Sequence, residues 1–141
     1  MKSMFDADLE RLMDDVPCPF CALPQVRIRG ENNHAVWIRD GYPVSPGHSL
    51  VIPKRHFGSF FDASDEERQA LLLLLDAAKA EAVAEFDPDG FNIGINDGPA
   101  AGQTVLHLHI HLIPRYKTEL PDPRGGVRWV IPAKADYWSH R

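Results

Sequence analysis

His107-Leu108-His109-Ile110-His111-Leu112-Ile113 is the stretch whose reading decides the fold. Three histidines alternate with aliphatic residues, a period of two that belongs to a β-strand. On a strand, residues i, i+2 and i+4 share a face, so the imidazoles stand about 6–7 Å apart on one side. Leu108, Ile110 and Leu112 then face a core. A merely solvated strand face draws on Thr, Lys and Glu. Three groups that titrate near neutral pH point instead to chemistry or to a metal.

The rest of the chain bounds that choice. With 141 residues, it is read as a single domain spanning 1–141, large enough for a core of its own. A net charge of −5 leaves no basic footprint, so no nucleic-acid partner is expected. No apolar run reaches the length of a membrane span, and Met1–Asp6 lacks the apolar centre of a signal peptide. The expectation is a cytoplasmic protein with no membrane partner. The two cysteines, Cys18 and Cys21, sit close together, which suits a reducing compartment and a metal or redox role better than a structural disulfide.

Working outward, residues 5–13 place Phe5, Leu9, Leu12 and Met13 on one side of a short helix that Pro17 ends. Strands are expected at Val26–Arg29, Ala35–Arg39 and His48–Pro53, the last after a Pro/Gly-rich loop at 42–47. Ser64 and Glu67 have the spacing of a capping box, opening a long helix to about Phe86 that Asp87-Pro88-Asp89-Gly90 terminates. Its apolar girth around Leu71–Leu75 calls for packing on more than one side, by a sheet and by a second protomer. Phe91–Asn96 reads as a further strand, Asp97–Thr104 as a small-residue loop, and Val127–Ile131 as a possible strand in the tail. The sum is an α+β fold: a mainly antiparallel sheet of about five strands, one long helix and a short N-terminal helix. His34 and His140 read as surface residues, and Trp129, Tyr137 and Trp138 as core or interface.

Four separated segments, in order, carry a family resemblance over roughly residues 18–116, leaving a tail at 117–141. Gly102-Gln103-Thr104-Val105-Leu106-His107-Leu108-His109-Ile110-His111-Leu112-Ile113 resembles the signature of the histidine triad (HIT) family. Val44-Ser45-Pro46-Gly47-His48 through Ile52-Pro53-Lys54-Arg55-His56 resembles its Pro-Gly-His…Ile-Pro-Lys-x-His segment. Asn96-Asp97-Gly98-Pro99 is similar to a loop of its diadenosine polyphosphate hydrolases, and Cys18-Pro19-Phe20-Cys21 to the Cys-x-x-Cys of many bacterial members.

The resemblance implies a HIT-like, homodimeric nucleotide hydrolase. A neutral imidazole is a good nucleophile toward phosphorus, and its adduct is labile to water. By resemblance His109 is that nucleophile, oriented by the backbone carbonyl of His107. His111 donates to the scissile phosphate or leaving group, and Gln103 donates its amide to the phosphate. Asp40 and Asn96 would bind ribose, with His48, Gln103 and Thr104 beside the nucleotide. The pair Cys18 and Cys21 is open to three readings: buried free thiols, a redox pair, or half of a tetrahedral structural zinc site. In the last, the resemblance supplies His56 and His107, with His48 competing for the third ligand place. A purine nucleoside phosphoramidase or nucleotidylyltransferase is the alternative activity, and a non-catalytic nucleotide-binding protein the alternative class.

Overall fold

The computed structural model describes residues 17–139. The helix expected at 5–13 and the surface place expected for His140 lie outside them. Five strands form one antiparallel sheet: β1 (Ile28–Glu31), β2 (Ala35–Arg39), β3 (Ser49–Pro53), β4 (Gly90–Gly94) and β5 (Ile110–Arg115), in the order β1-β2-β3-β5-β4. A long helix α1 (Asp65–Phe86) crosses one face, and a short helix α2 (Pro132–Ala135) closes the tail.

Local sequence explains α1. The Ser64 hydroxyl accepts from Glu67 N, and Glu67 Oε1 accepts from Ser64 N, so both arms of the capping box are made. At the other end Asp87 adopts a left-handed conformation ahead of Pro88, which cannot continue a helix. Leu71, Leu74 and Ala78 pack on Trp37, Val51, Ile110 and Leu112 in the main core. Leu72 and Leu73 remain 59% exposed, so within one chain α1 is covered on one side.

Among the described residues, no α-helix packs across the opposite face of the sheet. Val36, Ile38, Leu50 and Ile52 lie under Phe20, Leu23 and Ile28, a second and smaller apolar cluster. Past it, on β5 and β4, the face carries His111, Ile113, Asn92 and Gly94, with Gly94 opposite His111 and Asn92 opposite Ile113. The chain thus leaves a trough over the histidines, between the Cys18–Leu23 segment and the tail.

Four expectations change, the first being the strand expected at Phe91–Asn96, which spans Gly90–Gly94. The first strand is preceded by a 3-10 turn, Gln25–Arg27, so it starts at Ile28 rather than Val26. The histidine stretch alternates as expected, yet its ladder begins only at Ile110. Leu108 N is taken instead by Phe57 O at 2.7 Å and His107 O by the His109 ring. The tail strand at 127–131 is a 3-10 helix, Gly126–Val130. Gly125 and Gly126 turn the chain at positive φ, Pro132 has no N–H for a ladder, and Arg128 and Trp129 bond to carbonyls of their own segment.

Candidate active site and metal centre

His109 is the centre of the site. It is 8% exposed, and its Nδ1 lies 2.8 Å from His107 O. A carbonyl only accepts, so Nδ1 carries the proton and Nε2 holds a free lone pair. The His111 ring stands 5.1 Å from the His109 ring, and the Phe20 ring meets His109 edge-on, also at 5.1 Å. Phe20, absent from the residues singled out in the sequence, also meets His107 at 5.9 Å. The signal for it was its place inside Cys-x-x-Cys: an aromatic held between two ligands is delivered wherever they are anchored.

On one side of His109 lie Cys18, Cys21, His56 and His107, whose ligand atoms are all within 4.8 Å of one another. Cys18 Sγ is 3.4 Å from His107 Nδ1, Cys21 Sγ is 3.2 Å from His56 Nδ1, and the two Nδ1 atoms are 3.1 Å apart. Around a four-coordinate zinc, N and S ligand atoms lie about 3.3–3.8 Å from one another, by the usual Zn–N and Zn–S lengths. His107 Nε2 donates to Pro53 O at 2.7 Å, which leaves Nδ1 unprotonated and aimed at the cluster. Partial desolvation, and then the neighbouring Cys18, push the Cys21 thiol up from its ordinary value. A cation is what would let both sulfurs ionise. The donor set, its spacing and its tautomer therefore fit zinc. His48, the competing third ligand, lies elsewhere.

On the other side Asp40, His48 and His111 form a chain. His48 Nε2 is 2.9 Å from His111 Nδ1 and 3.4 Å from Asp40 Oδ2. Val44 N donates to His48 Nδ1 at 3.1 Å, so neutral His48 carries its proton on Nε2. That proton meets His111 Nδ1, which leaves the His111 proton on Nε2, toward the trough. Burial first, then His109 and His48, depress His111 to about 4, so it is neutral at pH 7. Burial also lowers His48, partly offset by Asp40.

Gln103 is 3% exposed, and its amide is fully engaged by backbone. Nε2 donates to Gly58 O at 3.0 Å and Val105 O at 3.1 Å, while Oε1 accepts from Gly98 N at 2.8 Å. This corrects the expectation that its amide reaches a phosphate: Gln103 staples the 98–103 loop, where Gly98 and Gly102 both need φ near +94°. Asp97 is engaged in the same way, its Oδ2 accepting from Ser59 Oγ and Phe60 N. Asp40 Oδ1 accepts from Tyr42 N, and its Oδ2 is near His48. Asn96 lines the trough with His48 and His111. Thr104 and His34 are exposed, and so are Trp129 and Tyr137.

Comparison with known proteins identifies the family and the fold. The HIT domain profile matches residues 25–118. An uncharacterised HIT-like protein of Mycoplasma genitalium is 40% identical over 105 residues, covering 72% of this chain and 74% of that one. A histidine triad nucleotide-binding protein of Sulfolobus tokodaii superposes with a TM-score of 0.67 at 33% identity, covering 74% of this chain and 73% of its own. The diadenosine triphosphate hydrolase of Plasmodium falciparum superposes with a TM-score of 0.66 at 28% identity, covering 71% and 68%.

Proposed function

Because this chain belongs to the histidine triad (HIT) family, we propose that it is a nucleotide hydrolase working through a covalent nucleotidyl-His109. The carrying observation is the His109 tautomer: Nδ1–H is fixed on His107 O at 2.8 Å, and Nε2 is left with a lone pair as the nucleophile, its ring 5.1 Å from that of His111. His109 Nε2 attacks the α-phosphorus, and the bond from phosphorus to the leaving group breaks. His111 Nε2–H hydrogen-bonds the departing atom, which takes the proton it needs from solvent. Water then attacks the phosphorus, gives up its proton to solvent and releases His109. His107 serves twice, by its carbonyl on His109 and by its Nδ1 toward zinc.

Asp40 has a carboxylate oxygen for ribose hydroxyls, with Asn96 across the trough. His48 fixes the His111 tautomer. Gln103 acts by holding the loop, and Thr104 stands exposed at that loop's end. Zinc on Cys18, Cys21, His56 and His107 would supply a structural cross-link from the N-terminal segment to the catalytic stretch. The exposed Leu72 and Leu73 of α1 and Ile93 of β4 support a homodimer. Reduced cysteines suit a cytoplasmic setting.

Likeness to the Plasmodium enzyme and the Asn96–Pro99 loop support a dinucleoside polyphosphate as substrate. The alternative is a nucleoside phosphoramidate, with nucleotidyl transfer to an acceptor other than water as a variant of the same chemistry. His109→Ala is expected to keep nucleotide binding and lose turnover by at least about 10³-fold. Turnover at the wild-type rate by that variant contradicts a covalent mechanism, and an inactive wild type that still binds nucleotide points to the non-catalytic class.

A further inference from the structure

The segment from Asp40 to His48 carries one residue of the site at each end and closes on itself, Asp40 N donating to His48 O at 2.9 Å. What holds that closure lies on the far side of the sheet. By strand alternation Arg39 shares the face of Trp37, against α1, while His48 stands with Leu50 and His111 on the trough face. Arg39 does not line the trough beside His111, yet its guanidinium reaches the backbone that delivers His48.

Arg39 Nη1 donates to Gly47 O at 2.8 Å and to Ser49 Oγ at 3.0 Å, and Ser49 Oγ donates to the same carbonyl at 2.8 Å. The peptide between Gly47 and His48 is thus gripped by two donors. Arg39 Nη2 donates to Glu85 Oε2 at 3.0 Å, in the last turn of α1. The guanidinium also lies over the Trp37 and Phe86 rings, 5.5 and 5.3 Å from their centroids. Phe86 fixes Gly47 as well: φ there is +88°, and a Cβ would stand 2.9 Å from that ring and 3.1 Å from Pro114. Arg39 and Gly47 are therefore set against one aromatic ring at the end of α1.

This grip is separate from what attaches the segment to the sheet. Ser45 Oγ donates to Pro114 O and Tyr116 Oη to Pro46 O, both at 2.7 Å, and these bonds hold its middle. Without Arg39 the segment stays attached, but the Gly47–His48 peptide loses its charged donor. His48 has little room to shift. Its Nδ1 accepts from Val44 N at 3.1 Å and its Nε2 stands 2.9 Å from His111 Nδ1, and both bonds are needed to put the His111 proton on Nε2. A displacement of about 1 Å would break one of them, and an error of that size, made far from the chemistry, can cost about 10²-fold in rate.

We propose that Arg39 is a positioning residue for the reaction, fixing from the helix face of the sheet the peptide that aims His48 at His111. It touches neither the substrate nor the reacting atoms and acts through His48. The kinetic consequence rests on the nucleotidyl-His109 reading, whereas the aim of His48 is measurable without turnover.

Arg39→Met keeps the side-chain length and the packing on Trp37 and Phe86 while removing every donor. With a dinucleoside polyphosphate as substrate, kcat should fall about tenfold, the low end of what a tautomer-setting partner is worth. In a His48→Phe background the same substitution should cost less than about twofold, because the ring it aims is gone. Arg39→Lys keeps the charge but cannot span Gly47, Ser49 and Glu85 together, and should show the same pattern at smaller amplitude. Long-range proton–nitrogen correlation spectra of histidine-labelled protein read the rings directly. Arg39→Met should move the His48 and His111 nitrogens toward mixed tautomers and leave those of His107 and His109 in place, with zinc content unchanged. Equal falls in kcat in both backgrounds, or His48 and His111 nitrogens unmoved by Arg39→Met, overturn the proposal. If the wild type binds nucleotide and turns none over, the hydrolase reading fails and the spectra alone decide the role of Arg39.

Discussion

Two clusters flank His109, each with two histidines, and they are opposite in wiring. In one, His107 gives its Nε2 proton to the carbonyl of Pro53 and turns a bare Nδ1 toward Cys18, Cys21 and His56. In the other, His48 receives the Val44 N–H on Nδ1 and therefore presents a proton, not a lone pair, toward His111 and Asp40. Asp40, His48 and His111 are close enough to hold a cation by distance alone. The Val44 amide argues against it, because the nitrogen nearest the others is protonated. One backbone group on each ring thus decides that the first cluster suits a metal and the second a hydrogen-bonded chain ending on His111. His109 sits between them with its own tautomer set by a third backbone group, His107 O.

The sharpest way to break this contrast is metal content against ligand removal. Purified protein should carry about one zinc per chain, as closed four-ligand sites do. Cys18→Ser with Cys21→Ser should abolish that zinc, whereas Asp40→Asn should leave it. Two metals per chain, or zinc lost with Asp40→Asn, would erase the distinction.

The next largest effect concerns the chain. His48→Phe removes the donor that fixes His111. A fall in kcat of about 10–100-fold is expected, as for other tautomer-setting partners, with zinc unchanged. His48→Asn, which retains a donor, should recover part of it. Equal loss of zinc and activity would mean that His48 supports the whole face rather than His111.

The smallest effect is on stability against pH. His111 is depressed to about 4 in the folded protein, so the unfolded chain takes up its proton first as pH falls. Its contribution is therefore present above about 6.5 and is lost progressively as pH drops toward about 4. Denaturant melts of wild type and His111→Asn should diverge over that window by on the order of 2 kcal/mol, the variant showing the flatter profile. Parallel profiles would mean that His111 is not held neutral by burial.

How much of this the sequence disclosed depends on where the determining contacts lie. β2 and α1 were legible nearly to the residue, since strand alternation and the Ser64/Glu67 capping box are local. The three histidines were legible as a face for the same reason. The tail was misread because Val127–Ile131 has strand composition while Gly125, Gly126 and Pro132, just outside it, set the path. Gln103 looked like a ligand contact and its amide is taken up as a loop staple: one of its partners, Gly58, is 45 residues away, invisible to spacing. Phe20 was passed over because its neighbours His107 and His109 are remote in sequence. The His107 tautomer was unreadable for the same reason, since Pro53 O meets His107 only in the fold.

The most direct test is to trap the intermediate. Acid-free quenching of the wild type during turnover of a radiolabelled nucleotide, followed by proteolysis and mass spectrometry, should find one nucleotidyl group on the peptide holding residues 107–111. The group should sit on His109, and His109→Ala should carry none. Turnover without any protein-bound nucleotide, or a nucleotidyl group on His111 instead, would contradict the account.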